Sequence, residues 1–423
     1  MSVLGPNPLA AGEKNISVED ARAAIHAAIR PMRDSEVVSL TEAVGRILSS
    51  DVISPIDVPA HDNSAMDGYA FDGAALGAVN GLTLRVVGTI FAGAAPTADV
   101  GAGECVRIMT GAVMPNGLDT VVPVELCKVD GAQVTIAPGT VHAGENRRRR
   151  GEDLASGRPA LQAGRVLRPA DIGLAASLGI TQLSVMRRLR VAVFSTGDEV
   201  VAPGQPLPEH CIYDSNRYAL IAALQRLGME PIDLGLLRDD PASLLNALHT
   251  ATAQADAVVT SGGVSAGDAD YTRDVMARSG TVDFWKVAMR PGRPFAFGTL
   301  HGDGTRPTWL FALPGNPVAS LVTFYVFARE ALLVLAGARP EPLPVLSARS
   351  VAAIRKRPGR TEFQRGHLDR AADGEWEVRS AGPQGAGILR SMSEANALIV
   401  LRHDQGSVAA GERVDVWMFD GLV

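Results

Sequence analysis

The sequence predicts a multidomain α/β plus β protein. It comprises a central doubly wound parallel-sheet α/β domain, an inserted mainly-β domain, a small discontinuous helical domain and a C-terminal β-barrel. Three observations carry this. From Arg187 onward, hydrophobic runs alternate with helix-length segments in the strand–helix–strand rhythm of βαβ units. Between Val52 and Thr140 the pattern is instead short β-like runs separated by glycine, with no long helix. Beyond Pro340, Pro342 and Pro344 it returns to short strands with turns such as Ala372-Asp373-Gly374 and Asp404-Gln405-Gly406.

Taken in order, Ser17 caps a helix read from Val18 to Arg30, with Val18, Ala21, Ile25, Ala28 and Ile29 on one face and Pro31 as its stop. A second helical segment follows Pro169, with Ile172, Leu174, Ala175 and Leu178 apolar and Gly179 ending it. These two pieces flank the β insertion and are expected to pack together as one domain, residues 16–50 plus 154–186, around a β domain of residues 51–153. Strands are expected at Leu189–Ser195, Ile232–Leu237, Ala257–Thr260, Pro294–Gly298 and Trp309–Leu313, within an α/β domain of residues 187–338. Helices start at Asp214 or Ser215, at Asp240-Pro241 and near Asp270, and a closing helix spans Asn316–Gly337. Residues 339–423 make the barrel.

Bulk properties exclude several classes. The 423 residues allow about three domains of ordinary size. A net charge of −6 argues against a dedicated nucleic-acid binder. Cys105, Cys127 and Cys211 lie far apart with no C-x-x-C pair, which disfavours a disulfide framework or thiolate zinc site and fits a reducing, cytoplasmic setting. No basic-then-apolar leader opens the chain. The longest apolar run, Val318 to Ala328, is short for a bilayer and reads as a buried helix, so no membrane role is expected.

Two βα loops stand out. Ser195-Thr196-Gly197-Asp198-Glu199 follows one strand, and Ser261-Gly262-Gly263-Val264-Ser265-Ala266-Gly267-Asp268-Ala269-Asp270-Tyr271 links another to a helix. Glycines let a backbone approach a ligand, and free N–H groups at a helix start attract an anion; a tight turn is the plainer reading. Neither loop is a Walker A or a G-x-G-x-x-G fingerprint. Glu199, Asp239, Asp268 and Asp270 all sit just after strands, so one rim gathers several acids. Two carboxylates about 4 Å apart repel by roughly 4 kcal/mol at an effective dielectric of 20, so convergent acids call for a cation or a proton. An all-oxygen set favours magnesium over zinc. Asp214 and Asp240 read better as helix caps.

The block Phe284 to Phe295 holds Lys286, Arg290 and Arg293 with Pro291 and Pro294 in a rigid connector, either an anion clamp or a solvated surface. Leu313-Pro314-Gly315-Asn316-Pro317 forms a pocket wall or merely a helix start. In the β domain, Asp67-Gly68 marks a turn, and Arg147 to Arg150 is the only charge run, a solvated loop on physical grounds.

With these blocks in order, the chain resembles the MoeA-type molybdopterin molybdenumtransferases, the family that includes the C-terminal domain of gephyrin. The resemblance rests on Asp62 to Ala70, Arg107 to Ala112, Arg148 to Asp153, Ser195 to Glu199, Ser261 to Ser265, Asp270-Tyr271 and Leu313 to Pro317. It implies a molybdopterin-binding α/β domain and insertion of molybdate into adenylylated molybdopterin, with magnesium required and AMP released. It also implies an elongated homodimer whose site lies between the α/β domain of one subunit and the β domain of the other. By motif, Asp67, Glu199, Asp270 and Lys286 match catalytic positions, the three acids as magnesium ligands. Thr110, Arg148, Asp153 and Asp239 match further functional positions. Arg290 and Arg293 replace lysines common in relatives, and Arg360 and Ser391 match positions implicated in molybdate binding.

These matches assign Ser261, Gly262, Gly263 and Ser265 to the adenylate and phosphate end. Lys286, Arg290 and Arg360 collect molybdate, with Pro291, Pro314 and Pro317 shaping the walls. A molybdopterin adenylyltransferase upstream and apo-molybdoenzymes downstream follow as partners. The rival readings are that preceding adenylyltransfer step and a non-catalytic, gephyrin-like scaffold.

Overall fold

The computed structural model describes residues 16–77, 81–95, 99–263, 270–302, 306–339 and 341–422. The first helix, Val18–Ala28, buries Val18, Ala21, Ile25 and Ala28, and the Ser17 hydroxyl accepts from the Asp20 N–H at 3.0 Å. It ends before Ile29, which is already extended; a residue preceding proline, here Arg30, disfavours the α conformation.

The expected pairing of the two helical pieces is not what forms. The buried face of Val18–Ala28 belongs to a core shared with Leu189, Val191, Phe295 and Phe327 of the α/β region. Helix Pro169–Ser177 packs instead with Ala43, Leu48, Leu161, Leu167, Leu183 and Val185. Strand pairing joins the halves: Ser35–Ser39 runs antiparallel to Gln182–Met186, where the ladder leaves Leu183 and Val185 pointing into one core.

The inserted unit is a six-stranded sheet in the order Thr120–Pro123, Gly68–Phe71, Glu104–Ile108, Leu82–Ile90, Gln133–Ile136, Cys127–Asp130. Alternation is clean in Gln133–Ile136, where Val134 and Ile136 are buried and their neighbours exposed. Its two apolar clusters draw only on residues between 69 and 141.

In the α/β domain we label β1 (Arg190–Thr196), α1 (Asn216–Arg226), β2 (Glu230–Leu237), α2 (Pro241–Gln254), β3 (Ala257–Ser261), α3 (Asp270–Ser279), β4 (Gly280–Lys286), β5 (Pro294–Leu300) and β6 (Thr308–Leu313). The sheet order is β2-β1-β3-β6-β5-β4. The first four strands are parallel, as expected, whereas β5 and β4 are antiparallel additions. The last three residues of strand β4, Phe284, Trp285 and Lys286, fall in the stretch read as a connector. Only Val287 to Arg293 separate it from β5, too few residues for the crossover a parallel pair requires.

The closing helix, Pro317–Leu335, is 19 residues long and apolar enough to cross a membrane, but 72% of it is buried inside the protein. A helix of the protein core accounts for that burial. In the C-terminal region Thr361–Arg370, Trp376–Ser380, Leu346–Ser350, Arg413–Met418 and Ala397–Leu401 pair in turn, and the last returns to the first, closing a barrel. The short strand Met289–Arg290 adds to its edge against Thr361 and Glu362.

Candidate active site

The order β2-β1-β3 reverses direction at β1, and in open α/β sheets ligands bind at such a switch point, beyond the carboxyl ends of the strands. Thr196, Asp239, Ser261 and Pro314 all lie at or just past those ends. The loops they begin are cross-tied. Gly262 N–H donates to Leu313 O at 3.1 Å. Ser261 Oγ donates to Pro314 O at 3.2 Å, and Asn216 Nδ2 donates to both Ser261 Oγ at 2.7 Å and Gly315 O at 2.6 Å.

Gly262 and Gly263 have φ of +97° and +73°, and a Cβ on Gly262 would stand 2.7 Å from Thr196 O. Only glycine permits both that backbone and that approach. The glycines expected at the phosphate end are therefore required by packing between loops. Ser265 lies outside the described residues.

Two rim acids are brought together: Asp198 Oδ1 accepts from the main-chain N–H of Asp239 at 3.2 Å, tying the β1 loop to the β2 loop. Glu199 is exposed beside them, with its main chain held by Ile212 N–H at 2.8 Å. Asp270 opens α3. Among the described residues no three His, Cys, Asp or Glu side chains form a metal-sized group. Asp240 caps α2, accepting from Ala242 and Ser243 N–H.

Asp214 does more than cap. It is buried, accepts from Ser195 Oγ at 3.1 Å, and takes the Nε of buried Arg217 at 2.9 Å. Arg217 reaches on to Asp233. Burial works against this guanidinium, but Asp214 and Asp233 outweigh it and raise its pKa. The brace locks α1 across β1 and β2 beneath the rim.

The clamp lies at the barrel junction. Arg290 ends the short strand that joins the barrel and Pro291 follows it, and Gly292 (φ +90°) lies so close to the helix that a Cβ would clash with Thr323 Oγ1. Lys286 ends β4, Pro314 is buried, and Pro317 starts the closing helix.

Ser391 is reached by a buried arginine, Arg365. Arg365 Nε donates to Ser391 Oγ at 2.9 Å, and its Nη2 donates to Pro383 O and Gly385 O at 3.1 and 3.0 Å. Arg360 pairs with the Glu362 carboxylate at 2.9 Å. Arg365 is fully buried. Burial first, and then the charge of Arg290, depress its pKa. Sequence reading missed Arg365, although in strand Thr361–Arg370 it shares a face with Phe363, two residues away.

In the β unit, three motif blocks fold onto one another. Gly111 N–H donates to Ser64 O at 2.8 Å, Ala65 N–H to Asn146 O at 2.9 Å, and Met114 N–H to Asp62 O at 2.9 Å. Asp67 is exposed and accepts from both the N–H and the hydroxyl of Thr110 at 2.7 Å. The Thr110 N–H, then its hydroxyl, hold the carboxyl below its ordinary value. Arg148 pairs through its backbone with Asn63, and Arg150 N–H donates to Asp62 at 2.8 Å. Asp153 N–H donates to Val58 O. Internal pairing, as in the solvated-loop reading, thus shapes this turn, with the Arg148 and Asp153 side chains exposed.

Family models for the MoeA N-terminal region (domain I and II), a probable molybdopterin binding domain and the MoeA C-terminal region (domain IV) match residues 16–179, 192–333 and 347–419. A molybdopterin molybdenumtransferase of Haemophilus influenzae is 43% identical over 92% of this chain and 95% of its own. A molybdopterin molybdenumtransferase 2 of Mycobacterium tuberculosis is 39% identical over 90% and 94%. The crystal structure of a molybdopterin biosynthesis moeA protein from Pyrococcus horikoshii OT3 superposes with a TM-score of 0.81 at 27% identity, covering 96% of this chain and 100% of that one. With the loops, the barrel and the β unit all accounted for in their order, the chain belongs to the MoeA family of molybdopterin molybdenumtransferases.

Proposed function

We propose that this enzyme of molybdenum cofactor biosynthesis inserts molybdate into adenylylated molybdopterin and releases AMP. The observation that carries the reading is the convergence of four loop origins at one sheet edge, with Arg290 at the barrel junction. The Ser261–Gly263 loop leads to the start of α3, where main-chain N–H groups favour a phosphate. Lys286, Arg290 and Arg360 are the cations for an oxyanion, and Ser391 is oriented by buried Arg365.

The donor set fits magnesium, because the exposed acids on this rim are hard oxygen ligands with no histidine or cysteine among them. Glu199 and Asp270, with Asp67 from a second subunit, would hold it together with substrate phosphate oxygens. When bound it neutralises charge on the phosphoanhydride. Asp67, kept ionised by Thr110, is ready for that role. A homodimer that apposes the Asp67 patch to the rim of its partner follows from this reading. A cytoplasmic enzyme supplied by a molybdopterin adenylyltransferase and serving apo-molybdoenzymes is its setting.

Purified protein given adenylylated molybdopterin, magnesium and molybdate is expected to release AMP and to reconstitute an apo-molybdoenzyme. Failure of both overturns the reading. Formation of the adenylate from ATP and molybdopterin would instead make the protein an adenylyltransferase.

A further inference from the structure

We propose that Asn216 is a positioning residue for the substrate loops. Its side chain fixes the β3 loop and the β6 loop in one register. The assignment rests on the reading above that these loops hold the phosphate-bearing end of the pterin substrate.

Asn216 is the first residue of α1, directly over the switch point. Its amide nitrogen donates to Ser261 Oγ at 2.7 Å and to Gly315 O at 2.6 Å, so both donors are used and each goes to a different loop. Ser261 Oγ in turn donates to Pro314 O, so the hydroxyl needs the Asn216 N–H to fill its acceptor side. Ser261 is 2% exposed, which leaves water no easy route to replace that donor. The two loops touch closely where Asn216 holds them: a Cβ on Gly315 would lie 3.7 Å from Gly262 Cα.

The residue is itself rigidly mounted. Asp214 and Arg217 on either side of it form the buried brace to Ser195 and Asp233. One tetrapeptide, Asp214 to Arg217, thereby anchors β1, β3 and β6 at their carboxyl-side ends and β2 at its middle. Among the described residues, Asn216 is its only side chain bonded to the two loops that carry glycine at the rim. Its part is geometric, since neither proton transfer nor charge neutralisation is available to a neutral amide.

The test is titration of the full-length protein with molybdopterin, followed by fluorescence, in wild type, Asn216→Ala and Asn216→Asp. The Asp variant keeps the shape and loses both donors. Both variants are expected to bind molybdopterin about tenfold more weakly, the size of one or two lost hydrogen bonds. The molybdate concentration dependence of turnover should stay at the wild-type value, and the melting temperature should fall by less than about 5 °C. Wild-type affinity in both variants overturns the assignment. So does full affinity in Asn216→Asp alone, which would make the role one of packing. A parallel loss of molybdate dependence and a melting shift above about 10 °C overturns it too, as general damage. AMP serves as a second probe. If it fails to compete with molybdopterin in the wild type, the nucleotide does not occupy the β3 loop, while the molybdopterin titrations still decide the fate of Asn216.

Discussion

The rim of the α/β domain and the Asp67 patch of the β unit are built by opposite means. At the rim, position comes from buried polar chemistry: Asp214, Arg217 and Ser261 lie under the surface and tie strand ends together. At the patch, backbone hydrogen bonds between turns do the holding, and the acid they present is open to water. The first is a preformed half-site that tolerates little change in its frame. The second is a ledge whose carboxylate has its full effect only when another surface closes over it and removes the solvent screening.

The largest effect should come from the exposed side. Asp67→Ala is expected to lower AMP release by on the order of 10³-fold with only a small fall in melting temperature, because the variant loses the two exposed bonds from Thr110 but nothing in the core of the β unit includes this side chain. Mixing Asp67→Ala with Glu199→Ala subunits sharpens the comparison. If patch and rim meet across a two-fold interface, random exchange regenerates about a quarter of the sites. No recovery after verified subunit exchange would place both halves of the site within one subunit.

The braced side should fail in stability instead. Asp214→Ala leaves the Nε of buried Arg217 and the Ser195 hydroxyl without their acceptor, while Asp233 still pairs the guanidinium, and two such losses cost about 2–4 kcal/mol. Chemical denaturation checks this. A cost under about 1 kcal/mol would show the brace to be solvated and the contrast between the two regions to be false. Gly262→Ala comes next. It forces a side chain into φ +97° and toward Thr196 O, for roughly 1–3 kcal/mol, and weakened molybdopterin binding is expected to accompany it.

Legibility followed the same divide. The parallel strands, the loops after them and the cap at Asp240 were readable because local pattern and final structure agree there. Asp214 was read as a cap; its bonds to Ser195 and Arg217 depend on which strand lies beside α1, and no local pattern carries that. Arg365 was hidden for a related reason. A buried arginine without a carboxylate partner is rare, and its partners are carbonyls of a loop some twenty residues away. Strand β4 escaped, unlike its partner β5, because its end at Lys286 runs into a stretch that reads by composition as a surface connector. The two helical pieces were assigned to each other by order along the chain, whereas burial sends Val18–Ala28 to the α/β core.

The smallest predicted effect separates the two roles open to Thr110, holding Asp67 and touching substrate. The Asp67 carboxyl is lowered from 3.8, first by the Thr110 N–H and then by the hydroxyl. A depressed folded pKa stabilises the protein above the unfolded value, and that contribution is lost as pH falls through the folded one. Thr110→Val deletes the hydroxyl and keeps the N–H, so the carboxyl should rise toward its ordinary value without passing it. The acid limb of turnover is then expected to move up by less than about one pH unit, with the rate at pH 7 unchanged and Thr110→Ser restoring the wild-type profile. Carbon-detected NMR titration of the Asp67 carboxyl gives the same shift directly. A rate at pH 7 reduced by more than about tenfold, with the carboxyl titrating as predicted, would assign Thr110 a contact to substrate of its own. The patch would then be a binding surface as well as a ledge for one acid.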